Sequence, residues 1–234
     1  MSGRYPALRP YARGDVIAMT AAESTEFDQR AIEELGVPQP VLMENAGRSA
    51  ALLLDKLFPS GRVVGVIGAG NNGGDALVLL RTLQAWGRDV HGVLVAERTI
   101  EKPLLHDWFV PLTPDSDLEE ESWAELLGSA EVLVDGVLGT GVDGAPRERQ
   151  TQAIKLINGT SCPVVAIDVP SGIDPTTGRV PGIAVRADVT VSFGAAKVGC
   201  LLHPARSFVG RLVTVEIAFP PCRKGDSGAL VVTP

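Results

Sequence analysis

The chain has 234 residues, 45% hydrophobic and 21% charged, a composition that supplies one sizeable core and suits a single large α/β domain. Its formal net charge of −7, with no basic run, excludes a nucleic-acid surface, because phosphate contacts need clustered Lys and Arg. No apolar stretch approaches the ~20 residues of a membrane span. Three scattered cysteines (Cys162, Cys200 and Cys222) and three scattered histidines (His91, His106 and His203) make neither a zinc motif nor a disulfide framework, and reduced thiols fit a cytoplasmic protein.

Residues 1–19 carry basic residues with no apolar run behind them, so they read as an arm and not as a signal peptide. Residues 21–36 predict a helix with Phe27, Ile32 and Leu35 roughly on one face and Gly36 as its stop. After the turn Val37-Pro-Gln-Pro, residues 41–58 predict a second helix. From there strands alternate with helices: strand 62–69, helix 76–87, strand 89–96, an irregular proline-bearing segment 97–117, helix 118–130, strand 131–139 and helix 152–158. Strands at 163–170, 188–195 and 211–218 close the pattern. Strands that run almost continuously apolar between helices indicate a mostly parallel sheet covered on both faces. The expected fold is α/β: a three-layer, Rossmann-like domain over residues 20–219, preceded by two N-terminal helices. Residues 220–234 form a tail that reads equally as a last edge strand or as a connector to another domain.

Ligands of an open parallel sheet bind beyond the carboxyl ends of its strands. Three strand ends here carry polar residues among glycines. The first is Gly70-Asn-Asn-Gly-Gly-Asp75, within Gly68-x-Gly70-x-x-Gly73, a spacing that matches the dinucleotide-binding fingerprint and offers a helix N-terminus to an anion. The second carries Asp135 and then Gly139-Thr140-Gly141; the third places Asp168 after an apolar run and before Pro170-Ser171-Gly172. Singly, each aspartate is explained by capping or turn formation. Together, carboxylates in one crevice repel unless they are protonated or share a cation. With no His or Cys beside them, oxygen ligands from Asn72, Asp135, Ser171 and backbone carbonyls suit a hard cation.

The blocks LMENAG (residues 42–47), GAGNNGGDALVLLRTL, VDGVLGTG, AIDVPSGIDPTTG and ADVTVSFGAAKVG, in this order, resemble the YjeF N-terminal family, whose enzymatic members are NAD(P)H-hydrate epimerases. The resemblance spans roughly residues 20–218. It implies that the chain interconverts the R and S forms of hydrated NADH or NADPH. It implies a substrate site lined by Asn71, Asn72, Gly73, Gly74, Asp75, Gly139, Thr140, Gly141, Val142, Asp143, Gly144, Ala145 and Asp168. It also implies a potassium ion held by Asn72, Asp135 and Ser171. Bifunctional relatives carry an ATP- or ADP-dependent dehydratase domain after this one, so a fused or separate dehydratase is an implied partner. Members often pair, which makes a homodimer through the N-terminal helices a further expectation. Nothing in the family pattern carries over to residues 97–117.

The substrate implied by the resemblance is a nicotinamide ring hydrated at C6, a hemiaminal whose nitrogen can expel the hydroxyl as water. Water then returns on either face, so the reaction needs a group that acts as acid for departure and base for return. Asp168 is the candidate. Lys197 reads as a snorkelling or structural lysine, and LMENAG as core packing with local capping. Two other readings compete. A non-catalytic nucleotide-binding or scaffold module of the same fold need not keep the aspartates. An NAD(P)-dependent oxidoreductase would use Glu97 to hold a ribose but lacks a Tyr-x-x-x-Lys pair, the two tyrosines lying in the arm.

Overall fold

Val63–Ile67, Val132–Gly136, Val164–Ile167 and Val189–Phe193 are buried along their whole length. Strands apolar on both faces need helices on both, so these runs form the middle of a parallel sheet. The computed structural model describes residues 16–98, 102–105, 108–117, 119–141, 143–217 and 229–231. In chain order the elements are β1 (Val16–Met19), α1 (Ala21–Glu33), α2 (Gln39–Leu57), β2 (Val63–Ile67), α3 (Asn71–Ala85), β3 (Val90–Leu94), α4 (Lys102–Leu105), β4 (Leu112–Pro114) and α5 (Glu120–Gly128). They continue with β5 (Val132–Gly136), α6 (Glu148–Gly159), β6 (Val164–Ile167), β7 (Val189–Phe193), β8 (Ala196–Lys197), β9 (Arg211–Val215) and β10 (Ala229–Val231).

Seven strands make one sheet in the order β4-β3-β2-β5-β6-β7-β9, and every neighbouring pair is parallel. Alternate residues of β2 face opposite layers. Val63 and Ile67 join Leu54 of α2 and Leu77, Leu80 and Leu83 of α3. Val64 and Val66 join Trp123 and Leu127 of α5 and Ile154 and Ile157 of α6. The leucines of α3 are fully buried, each contributing about 2 kcal/mol. The expected three-layer α/β architecture with helices at the N-terminus is present. The chain runs outward from β2 through β3 to β4, then crosses back to β5 and runs outward the other way. The order therefore reverses between β2 and β5, and the loops after those two strands part to leave a crevice.

Among the departures from the expected boundaries, which include an α6 that begins at Glu148 and not Gln152, three stand out. First, α3 begins at Asn71, not Ala76, with Gly70 as its N-cap. The asparagines and glycines have poor helix propensity, but close packing surrounds two of the glycines, against fixed backbone at Gly73 and against movable side chains at Gly74. A Cβ on Gly73 would lie 2.1 Å from Gly68 O, and one on Gly74 would lie 2.6 Å from Met43 Cε. Second, segment 97–117 contains α4 and β4, which pairs with β3 at the sheet edge. Third, residues from the expected arm and tail meet. β1 pairs antiparallel with β10 and parallel with β8, forming a separate three-stranded sheet with Met19 opposite Lys197. For the tail, Ala229–Val231 is thus a strand, while residues 218–228 and 232–234, Cys222 among them, lie outside the described residues, as do residues 1–15 and His106.

At the end of β1, Thr20 caps α1 reciprocally with Glu23: Glu23 N–H donates to Thr20 Oγ1 at 3.2 Å, and Thr20 N–H donates to Glu23 Oε2 at 2.7 Å. Ala21 N–H donates to Thr176 Oγ1 at 3.0 Å, and Phe27 packs with Met19 and Ala195. These contacts fix α1 over the crevice. The block LMENAG lies in α2 as packing residues, with Leu42 and Ala46 buried and Glu44 ion-paired with Arg81.

Candidate functional site

The crevice at the strand-order reversal opens into a cavity of about 820 Å³. Its floor includes the first turn of α3, whose Gly70 cap supplies no side-chain acceptor. The N–H groups of that turn have no carbonyl four residues back and point outward, which is the standard arrangement for an anion. Arg98 holds the preceding loop closed, its guanidinium donating to Gly68 O at 3.1 Å and Gly70 O at 2.6 Å. Gly68 lies so close to the second loop that a Cβ there would fall 1.9 Å from Val137 O. Gly68→Ala is therefore expected to cost about 1–3 kcal/mol of stability through overpacking, read as a lowered urea midpoint. A midpoint equal to that of the unaltered protein would show that the two loops yield freely.

Behind the floor lies a group of oxygens. Asp135, on β5, is fully buried. Its Oδ1 accepts from Ser171 Oγ at 2.5 Å and Val137 N–H at 3.3 Å, and its Oδ2 accepts from Ser171 N–H at 2.8 Å. Burial pushes the Asp135 carboxyl up to about 6, against the pull of the bonds from Ser171 and Val137. Asn72 is 7% exposed and donates through Nδ2 to Leu138 O at 2.9 Å, while its Oδ1 is buried without a hydrogen-bond partner. An orphaned buried carbonyl oxygen is costly. Beside a carboxylate and a hydroxyl it is the donor chemistry a hard monovalent cation takes, so Asn72, Asp135 and Ser171 fit the potassium ion that the sequence resemblance implies.

Across the cavity, Asp168 follows β6 with φ 63°, the only non-glycine with positive φ among the described residues. A non-glycine side chain in this region is uncommon, though Asp tolerates it better than most, and it is held there by the surrounding structure. Phe193 N–H donates to Asp168 Oδ1 at 3.2 Å, and Lys197 Nζ lies 2.5 Å from the same oxygen. Lys197 is 1% exposed and also donates to Phe193 O at 3.0 Å and Ala195 O at 3.3 Å. With three acceptors its ammonium is fully engaged. It does not snorkel: it is the buried partner of Asp168.

Two more carboxyls face the same space, Asp75 from α3 and Asp28 from α1. Burial holds Asp75 well above the usual carboxyl range, reinforced by the charges of Asp168 and Asp28 and opposed by Lys197 and Arg98. Asp28 faces the open side and keeps contact with water. Burial is still the largest influence on it and raises it to about 6, with Lys197 opposing and Asp168 adding. Neither side chain has a hydrogen-bond partner among the described residues.

The cavity thus gathers Asn71, Asn72, Asp75, Gly139, Thr140, Gly141, Asp143, Ala145 and Asp168 from the sequence-derived set. Gly73 and Gly74 lie just inside α3 as close-packing residues, and Gly144, with φ 83°, turns the loop beside the cavity. Val142 lies outside the described residues. Asp135 and Ser171 stand behind the lining with Asn72. Glu97 is exposed and does not line the cavity, which removes the ribose contact that a redox reading needs. Sequence reasoning missed Asp28 and Arg98. Asp28 reads as the solvated face of an amphipathic helix, and Arg98 belongs to a segment without periodicity.

Comparison with known proteins matches residues 39–199 to the family described as YjeF-related protein N-terminus. The chain is 34% identical to an NAD(P)H-hydrate epimerase from Limosilactobacillus fermentum, over 85% of this chain and 96% of that protein. It is 39% identical to one from Cenarchaeum symbiosum, over 84% of this chain and 92% of that protein. A bifunctional NAD(P)H-hydrate repair enzyme from Pyrobaculum aerophilum is 42% identical over 87% of this chain, which spans only 42% of that protein's length. Among solved structures, yeast ynu0 has the same fold, with a TM-score of 0.74 at 22% identity over 93% of this chain and 100% of that one.

Proposed function

Because this chain belongs to the family of YjeF-related protein N-termini, we propose that it is an NAD(P)H-hydrate epimerase, an isomerase that interconverts the two C6 epimers of hydrated NADH and NADPH. The observation that carries the reading is the Asp168–Lys197 pair facing the same cavity as the open N-terminus of α3. The cavity volume of about 820 Å³ falls within the range of small-molecule sites.

In this reading the first turn of α3 binds the pyrophosphate, and Gly139 to Ala145 line the substrate along the opposite loop. Asp168, fixed by Lys197 and by the Phe193 N–H, exchanges a proton with the water that leaves or enters C6. As the C6–O bond breaks, the ring nitrogen forms a double bond to C6, and the planar centre accepts water on either face. Asn72, Asp135 and Ser171 would hold the potassium ion, which when bound would supply fixed positive charge beside the anionic ligand. Burial and the neighbouring carboxylates Asp168 and Asp28 hold Asp75 well above the usual carboxyl range, which favours its neutral form in a crowded cavity.

Bifunctional relatives support a dehydratase partner, fused beyond residues 220–234 or separate. The reading also includes a cytoplasmic location, in keeping with the free thiols Cys162 and Cys200, and a homodimer through the N-terminal helices. No helix among the described residues is long and apolar enough to cross a membrane.

The test starts from one purified epimer of NADH hydrate and follows both epimers by chromatography, in potassium and in sodium. A rapid approach to the mixture, faster in potassium and well above the rate without protein, is expected. A trace no faster than the protein-free control, with folded protein in potassium, would overturn the assignment.

A further inference from the structure

Removing water from one face of a ring carbon and returning it to the other calls for proton transfer on both faces. Asp168 is one such group, and its carboxylate is fixed on Lys197. A second carboxyl is brought to it by a part of the chain outside the matched family segment. Met19 of β1 pairs with Lys197 of β8, and α1 starts two residues later, tied to Thr176 and packed through Phe27 on Ala195. Asp28, next to that Phe27 anchor, consequently lines the same cavity as Asp168. It has no hydrogen-bond partner among the described residues, so its oxygens are free for a ligand.

We propose that Asp28 is a second catalytic acid–base residue, exchanging the proton on the ring face that Asp168 does not serve. This rests on the epimerase reading above. In one direction the Asp28 carboxylic acid gives its proton to the C6 hydroxyl, the C6–O bond breaks, and water leaves as the nitrogen lone pair forms the iminium. Water then adds to C6 from the other face and passes a proton to the Asp168 carboxylate. One proton has moved from Asp28 to Asp168 and no electrons are exchanged with any other reagent; proton exchange with solvent returns the pair to its starting state before the next turnover in the same direction. The competent state therefore carries a single proton between two carboxyls. Lys197 from β8, Asp168 from the end of β6 and Asp75 from α3 are the charged groups that face Asp28. Burial, partly offset by Lys197, lifts Asp28 to about 6, which suits a group that must both give and take a proton near neutrality.

The experiment compares the whole chain with Asp28→Asn. The substitution adds no bulk and sits on the open side of the cavity, and a thermal melt verifies folding. The kcat for epimerisation is expected to fall roughly 100-fold, with KM changed by no more than about threefold. The wild-type rate should decline as pH rises through about 6, where Asp28 loses its proton, and this limb should move in the variant. Three outcomes overturn the proposal in distinguishable ways. Wild type that does not accelerate epimerisation removes the epimerase reading and Asp28's role with it. Active wild type with Asp28→Asn within about fivefold in kcat removes Asp28 alone. A slow Asp28→Asn with the wild-type pH profile makes Asp28 a positioning residue and not a proton carrier.

Discussion

Asp168→Asn is expected to slow epimerisation roughly 100-fold or more while leaving the fold in place. The choice of asparagine isolates the chemistry. Asp168 occupies φ 63°, a conformation that asparagine tolerates better than other side chains except glycine, so the backbone after β6 need not move. The amide oxygen still accepts from the Phe193 N–H and from Lys197 Nζ, which keeps the buried ammonium hydrogen-bonded. What asparagine cannot do is take a proton from the entering water or return it. Chromatography of the two NADH-hydrate epimers measures the rate. Near-normal turnover from a variant with the wild-type melting curve would remove Asp168 from the chemistry and leave it as a structural anchor for Lys197.

Lys197→Met is expected to have the largest effect on stability. Methionine fills nearly the same volume but carries no charge and no donor. The substitution leaves the Asp168 carboxylate, whose side chain is 14% exposed, without its counter-ion, and it takes one hydrogen bond from each of the Phe193 and Ala195 carbonyls, which keep Ala195 N–H and Ser192 Oγ as donors. Breaking a buried ion pair by removing one partner costs about 3–5 kcal/mol, and the remaining charge also faces Asp75 and Asp28. A urea midpoint lowered accordingly, with an unchanged m-value, is the expected result. Activity should fall as well, because Asp168 loses the contact that orients it. A variant with the wild-type midpoint would show that water or a rearranged side chain replaces the ammonium at no cost, and the pair would lose its structural role.

Much of the sheet is legible in the sequence, for a physical reason. Runs such as Val63–Ile67 and Val164–Ile167 are apolar at every position because both faces are covered, and no other common environment produces that pattern next to glycine-rich strand ends. Asp135 and Asp168 stand out for the same reason, as carboxylates interrupting or ending such runs. The three-stranded sheet is not legible. β8 is two residues long, and neither β1 nor β10 exceeds four, so no period can develop in them. The start of α3 is hidden because tertiary packing overrides the poor helix propensity of Asn and Gly. Asp28 is hidden more deeply. One acidic residue on the polar side of an amphipathic helix looks like any solvated charge until the pairing of β1 with β8 is known.

That pairing has a consequence for the order in which the molecule is completed. β1 and α1 are the first described elements to leave the ribosome, yet their partners β8 and β10 are among the last. Closing so long a loop costs chain entropy before any contact returns it, and the central strands of the large sheet pair over much shorter separations. The body of the domain can therefore form around β2, β3 and β5 while α1 is still unfastened. The wall that carries Asp28 is set only when β8 has taken its place beside Met19. A nascent or truncated chain lacking β8 would hold the glycine loop, but neither the Asp168–Lys197 pair nor an anchored α1.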